Sequence, residues 1–374
     1  MAKCYIGVSS KARNIKNIYI GVSGKAQRVI KAYIGVGGKA RLFWAGGSIY
    51  KWGTATTLTT ARYDFGAAHV GNYALFAAGM PASGSNLKSV ETYNSSLTKG
   101  TASDFSGANS SGRAIGGQNS TYAAFLSTDK YVYAYNSSLT LSRKNQANSA
   151  FPQFAASISS NDNILFLGGN GTQFVDIYNT SLVHSKSSSY SSIRLNPAGE
   201  SIGTYAIFSG GTTSSSGGSM LSTAEIYDSS ITKITASNKN LSVARMALAA
   251  ASTGSYVLFA GGLAEDSESV NTVDTYNSSL TKSITTGLSN SRHSLNGLSI
   301  DKYAIFAGGR TSFSGYLSAI DIYDNSLTRT INSLSLAKIG IASTILGNKA
   351  IFAGGGTYQS GGIQANNTVD VFAI

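Results

Sequence analysis

The sequence predicts an all-β protein: a seven-bladed β-propeller of four strands per blade, preceded by a small module of repeated β-hairpins. Three observations predict it. An apolar strand ending in small residues recurs with a period of roughly 42–50 residues, the length expected of a propeller blade or a solenoid repeat. A second strand ending in an aromatic recurs seven times, and a polar phrase of the type Tyr-Asn-Ser-Ser-Leu-Thr follows six of those copies. The composition agrees. The 374 residues include 42 Gly, 21 Tyr and only 3 Pro, and 12% are charged, about half the ~25% of an ordinary soluble domain. Such a chain lacks the charge to wet the outer faces of long helices and suits short strands and tight turns.

The chain divides by charge. Residues 1–44 carry Lys3, Lys11, Arg13, Lys16, Lys25, Arg28, Lys31, Lys39 and Arg41 and no acid, so nine of the formal +12 charges lie there. This segment repeats every 14 residues, as YIGVSSKARNIKNI from Tyr5, YIGVSGKAQRVIKA from Tyr19 and YIGVGGKARLFWAG from Tyr33. Each unit reads as a strand, a Ser/Gly turn and a second strand with basic residues on the wet side. Three such hairpins make a thin sheet with little core, which would gain stability by self-association or by docking on something larger. Lys11, Arg13, Lys25, Arg28, Lys39 and Arg41 are the expected anchoring residues. The boundary to the propeller is placed at 44/45.

Residues 45–374 carry the blades. The apolar strands are YALFAAG at Tyr73, YAAFLST at Tyr122, ILFLGG at Ile164, YAIFSGG at Tyr205, YVLFAGG at Tyr256, YAIFAGG at Tyr303 and AIFAGGG at Ala350. Being apolar throughout, they read as covered on both faces. The paired glycines permit close backbone approach or a turn that a side chain would block. The next strands are SVETY, YVYAY, FVDIY, TAEIY, TVDTY, AIDIY and TVDVF. Asn or Asp directly after such a strand bonds its own backbone and turns the chain, so the repeated phrase reads as an architectural hairpin. In the fifth unit the four strands are expected near 245–252, 255–262, 270–277 and 280–285. The chain stops where the seventh unit needs its fourth strand, and residues near 49–57 are expected to supply it and close the ring, removing exposed sheet edges.

The Gly-Gly doublet after an apolar strand, the aromatic ending the next strand, and the spacing together resemble a kelch propeller over residues 45–374. The Trp expected later in each kelch repeat is missing, since only Trp44 and Trp52 occur. The low-charge, Ser/Thr-rich copies resemble kelch-like proteins of bacteria and their phages. The units of the type KAYIGVGGKARLFW resemble short repeats of tail and other virion proteins of phages infecting Gram-positive bacteria. This resemblance implies a virion location.

Little in the chain looks like catalysis. A galactose-oxidase-like copper site needs converging Tyr and His ligands and a cysteine-crosslinked Tyr. The one cysteine, Cys4, lies outside the propeller, and His69, His184 and His293 belong to different blades. His69 and His293 are expected on innermost strands, facing the central channel. Glu91, Asp176, Glu225, Asp274, Asp321 and Asp370 recur at one position of six blades, which marks them as structural before catalytic. There is no SxDxGxTW box, P-loop, dinucleotide fingerprint or Gly-x-Ser-x-Gly elbow. The expectation is a non-enzyme without metal or cofactor. The basic N-terminus could meet phosphates, with Tyr5, Tyr19 and Tyr33 stacking on bases, but Tyr at a fixed interval in strands is read first as sheet packing. No leader and no run of ~18 apolar residues is seen, so synthesis in a host cytoplasm is expected, with no membrane role.

A binding face can be located from loop lengths. The loops joining strands one to two and three to four are short and uniform. Those joining two to three and each blade to the next vary, as in MPASGSNLK at 80–88, LAEDSES at 263–269, RTSFSGYL at 310–317 and GTYQSGGIQAN at 356–366. Variable loops on a rigid scaffold commonly hold binding residues. Arg310, Phe313, Tyr316, Tyr358, Gln359, Glu265 and Asp266 are the candidates, because aromatic plates with polar neighbours suit sugars. The expected function is a tail-associated virion protein that displays this face to a host-surface glycan and is held to other virion proteins, or to its own copies, through residues 1–44. The alternatives are a decoration protein without a ligand and an intracellular kelch-type adaptor.

Overall fold

A computed structural model of the chain describes six strands between Tyr5 and Trp44, and residues 49–374 apart from 106–111, 145–146, 148–154, 170–172, 188–191, 215–217, 235–238, 313–314 and 360–361. All its regular elements are strands. The chain forms two compact units, Met1–Gly53 with Phe372–Ile374, and Thr54–Val371.

In the first unit each 14-residue repeat is a hairpin: Tyr5–Val8 with Lys11–Asn14, Ile18–Val22 with Lys25–Val29, and Ala32–Val36 with Lys39–Trp44. One expectation is corrected here. The hairpins form three separate two-stranded sheets rather than one thin sheet. The register also sets Lys11 opposite Val8, Arg13 opposite Ile6, Lys25 opposite Val22, Lys39 opposite Val36 and Arg41 opposite Ile34. Arg28 is opposite Tyr19.

The second unit is the propeller. Six blades are four-stranded antiparallel sheets in simple sequential order. The first runs Gly66–Val70, Tyr73–Ala77, Val90–Asn94 and Lys99–Ala102, and the fifth Ala249–Ser252, Tyr256–Ala260, Val273–Asn277 and Lys282–Thr285. The seventh sheet has Ala342–Leu346, Lys349–Ala353, Val369–Ala373 and finally Tyr50–Thr54. The chain then continues along the same segment: the Ala55 N–H donates to the Val369 carbonyl at 2.9 Å and the Leu58 N–H to that of Asn367 at 2.9 Å. The first strands stand side by side in a ring, each against the next blade's, with the seventh against the first. The apolar core lies between blades: Leu258 and Ala260 of the fifth pack with Ala304, Phe306 and Tyr323 of the sixth.

Three repeated devices hold this ring together. The first is the hairpin phrase. The Asn277 side-chain oxygen accepts from the N–H groups of Ser279 (3.0 Å) and Thr281 (2.8 Å), and the Leu280 N–H donates to the Asn277 carbonyl at 2.8 Å. The same side-chain pair of bonds recurs at Asn94, Asn136, Asn179, Asp228 and Asp324. The turn places Leu280 at φ 59°, with Leu97, Leu139, Leu182, Ile231 and Leu327 at equivalent values. Left-handed backbone costs such a residue roughly 1–2 kcal/mol. Burying the Leu280 side chain, which is 8% exposed in the apolar core between the fourth and fifth blades, offsets that by roughly 1.5–3 kcal/mol.

The second device is a buried ion pair. Asp274 accepts from the Arg245 guanidinium at 2.9 Å, from Lys282 at 3.0 Å, and from the N–H and hydroxyl of Ser242. Glu91 with Arg62, Glu225 with Arg194, Asp321 with Arg292 and Asp370 with Lys338 repeat it at 2.7, 3.3, 2.8 and 3.4 Å. In the third blade Asp176 meets His184 at 2.8 Å. Burial pushes the Arg245 guanidinium below its ordinary value, and the Asp274 carboxylate opposes that shift. The second blade solves the same position without an acid: Tyr133 stacks on Phe105 at 4.3 Å.

The third device links the glycine doublets to the cation of the following blade. The Gly262 N–H donates to the Arg292 carbonyl at 2.9 Å, and the same latch joins Gly211 to Arg245, Gly309 to Lys338 and, across the ring closure, Gly355 to Arg62. The contact is close enough to require glycine. At Gly261, φ is 65° and a Cβ would lie 2.5 Å from the Arg292 carbonyl oxygen.

Candidate binding site at the mouth of the central channel

The chain enters five of the blades through a short segment that begins at the buried cation. Two residues after it, in five blades, the backbone is left-handed: Asp64, Asn196, Ala247, Ser294 and Gly340, with φ between 51° and 62°. This conformation bends the chain into the first strand and points peptide groups round the ring. The Ala247 N–H donates to the Asn196 carbonyl at 3.1 Å, the Ser294 N–H to that of Ala247 at 2.8 Å, and the Asp64 N–H to that of Gly340 at 3.1 Å. These residues form a rim of backbone around the channel on the variable-loop face.

Above this rim is a cavity of about 450 Å³, lined by Asp64, Phe65, Arg113, Ala114, Ile115, Asn196, Ser294, Leu295, Arg310, Ile339, Gly340, Ile341 and Tyr358. Its size is that of a small-ligand site. Its two arginines are held differently. Arg113 is paired with Asp64 at 3.1 Å, whose carboxyl burial pushes upward while Arg113 pulls it down. Arg310 follows the glycine doublet of the sixth blade, and its Nε donates to His293 Nε2 at 2.9 Å. Because Nε2 accepts, the His293 proton sits on Nδ1, 2.9 Å from the Ser269 hydroxyl. His293 is only 4% exposed. Burial, with Arg310 beside it, pushes its pKa down to about 4, so the ring is neutral at neutral pH and remains an acceptor.

The seventh blade contributes an aromatic plate. Gly356–Gln359 and Gly362–Ala365 form an extra hairpin, and Tyr358 is 52% exposed on it. The Tyr358 N–H donates to the Tyr316 hydroxyl at 2.8 Å, and the Arg310 guanidinium carbon lies 5.8 Å from the Tyr358 ring centre.

The fold therefore gathers three of the expected residues, Arg310, Tyr316 and Tyr358. Gln359 is exposed beside Tyr358 but does not line the cavity, and Phe313 lies outside the described residues. Glu265 and Asp266 are exposed on a fifth-blade loop and do not line it either. His293 is not on an innermost strand as expected: that strand is Asn296–Ile300, and His293 bridges to Arg310 on the face. His69 does belong to a first strand, its Nδ1 3.3 Å from the hydroxyl of Thr344 on the seventh blade's first strand. Arg113 and Asp64 had no signal of their own in the sequence, because nothing in a single blade pairs them.

Deeper in the channel a second cavity of about 290 Å³ is lined mainly by small residues and hydroxyls, with Glu200 among them. Glu200 accepts from the Ser299 hydroxyl at 2.5 Å and from the Ser201 N–H at 2.8 Å. Its pKa is raised by burial, against the pull of those hydrogen bonds. The acid escaped notice because it falls outside the repeated acidic position. Among the described residues no group of three or more His, Cys, Asp or Glu could hold a metal ion.

No protein-family model and no curated protein sequence matches the chain. Among solved structures, that of YjhT is similar, with a TM-score of 0.53 at 12% identity over 85% of this chain and 99% of that one. At that identity the likeness is one of fold, and it agrees with the seven four-stranded blades described above.

Proposed function

We propose that this chain is a virion protein of a phage of Gram-positive bacteria, tail-associated, whose kelch-like propeller binds a host-surface glycan at the channel mouth. Residues 1–44 serve as its attachment module, toward other virion proteins or further copies of the chain. The observation that carries the binding reading is the 450 Å³ cavity where Arg310 and Tyr358 meet on variable loops. An exposed aromatic plate beside fixed polar donors suits the apolar face and hydroxyls of a sugar ring. Binding is favoured over catalysis because each of the six repeated carboxylates is already engaged by a cation or imidazole of its own blade.

The test is adsorption of the full-length protein to a panel of Gram-positive cell walls. Tyr358→Ala is expected to weaken adsorption at least tenfold with the melting temperature unchanged, and Tyr316→Ala to weaken it less. A decoration protein would adsorb to none of the walls. An adaptor would instead retain a host protein, with both variants behaving like the parent.

A further inference from the structure

We propose that the ligand of the channel mouth carries an oxyanion, either a sugar carboxylate or a phosphodiester, and that the Nη groups of Arg310 clasp it against the Tyr358 ring. This deepens the binding reading above and rests on it.

The argument starts from the charges at the cavity. Its ionised lining residues are Arg113, Asp64 and Arg310. Arg113 and Asp64 neutralise one another at 3.1 Å. Arg310 has no acidic partner: its Nε is spent on a neutral imidazole, and among the described residues its two Nη groups make no hydrogen bond to the protein. The other devices of the fold give each buried cation a carboxylate, as Arg245 has Asp274 and Arg292 has Asp321. Here the same chemistry is left open on one side. The nearby acids Glu265 and Asp266 are on an exposed loop that does not reach the cavity lining.

The geometry also preorganises the guanidinium. A free arginine would sample many rotamers. This one is fixed at Nε by His293, which is itself tied to Ser269, whose N–H donates to the Ser312 hydroxyl at 2.5 Å. A guanidinium held at Nε offers its two Nη groups as a planar fork, the arrangement that matches the paired oxygens of a carboxylate or phosphodiester. His293 is thus a positioning residue and Arg310 the contacting one. Tyr358 supplies a flat surface for the ring or polyol attached to the anion.

The test uses the full-length protein and three probes of equal length, titrated calorimetrically: a uronic-acid oligosaccharide, a glycerol-phosphate oligomer and a neutral oligosaccharide. At least one anionic probe is expected to bind tenfold or more tightly than the neutral one, and which of the two it is distinguishes carboxylate from phosphodiester. Arg310→Gln is expected to remove that difference. His293→Leu is expected to reduce it severalfold, while His293→Gln, which keeps an acceptor, retains most of it. Tyr358→Ala leaves the Arg310–His293 bond intact and is expected to weaken anionic and neutral probes alike, whereas Arg310→Gln is expected to keep its binding of the neutral probe, so its loss of the anionic preference cannot be assigned to misfolding. If the neutral probe binds as well as the anionic ones, or Arg310→Gln keeps the preference, the inference is overturned while glycan binding stands. If none of the three binds, and whole cell walls are also ignored, the glycan reading falls with it.

Discussion

Glu200 shows how one residue can sit against the general economy of the fold. Its carboxyl lies among hydroxyls inside the channel, partly open to channel space yet enclosed by protein, and accepts from Ser201 and Ser299, with no ion-pair partner among the described residues. Burial raises its pKa. A carboxyl whose pKa is higher in the fold than in the unfolded chain favours folding when protonated. As pH rises past the ordinary Glu value, the unfolded chain ionises first, and the fold loses stability until its own carboxyl has ionised. Glu200→Gln keeps an acceptor for the Ser201 N–H and removes the charge. It is expected to melt above the parent at pH 7 and level with it near pH 4, as read by calorimetry at both values. A variant that melts lower at pH 7 would mean that the ionised carboxylate is itself a favourable partner for the channel hydroxyls.

The element that repeats most faithfully is the hairpin between third and fourth strands. Its stability rests on one side-chain oxygen that satisfies two backbone N–H groups, and on a leucine whose strained backbone is compensated by burial. Asn277→Ala removes both side-chain bonds and is expected to cost about 1 kcal/mol, measured as a shift of the denaturation midpoint. Asn277→Asp is expected to be close to neutral, because the fourth and sixth blades already use Asp228 and Asp324 with the same two contacts. The hairpin was legible in the sequence because all of its determinants lie within six consecutive residues. The buried ion pairs were half legible. The repeated acids stood out, but the buried cations of five of them lie 29 to 32 residues earlier, a spacing that means nothing until the blade is folded.

At the scale of the molecule the propeller is a chain of like interfaces bent into a ring. An open repeat array frays from its ends, where a terminal unit has one neighbour. Here the latch that joins Gly262 to Arg292 inside the ring also joins Gly355 to Arg62 across the closure. Gly261→Ala and Gly354→Ala bring a Cβ to 2.5 and 2.6 Å from the facing carbonyl oxygen, both at positive φ. Each is expected to destabilise by about 2 kcal/mol or more, and both are expected to leave the propeller unfolding in one calorimetric transition. A separate early transition in Gly354→Ala alone would show that the closure is a weak seam and not an interface like the others.

The sequence by itself determined the class of fold, the number of blades, the hairpins, the glycine turns and the face on which variable loops gather. Each of these is set by residues close together in the chain and repeated often enough to be read. It also pointed to Arg310, Tyr316 and Tyr358 through loop variability. Only the tertiary structure decided what those residues do together. The cavity draws Asp64, Arg113, Asn196, Ser294, Arg310, Gly340 and Tyr358 from five blades, and the neutral state of His293 depends on its burial and on Arg310 beside it. Electrostatics at the channel mouth depend on which charges face each other across a closed ring, and no stretch of sequence within one blade contains that information.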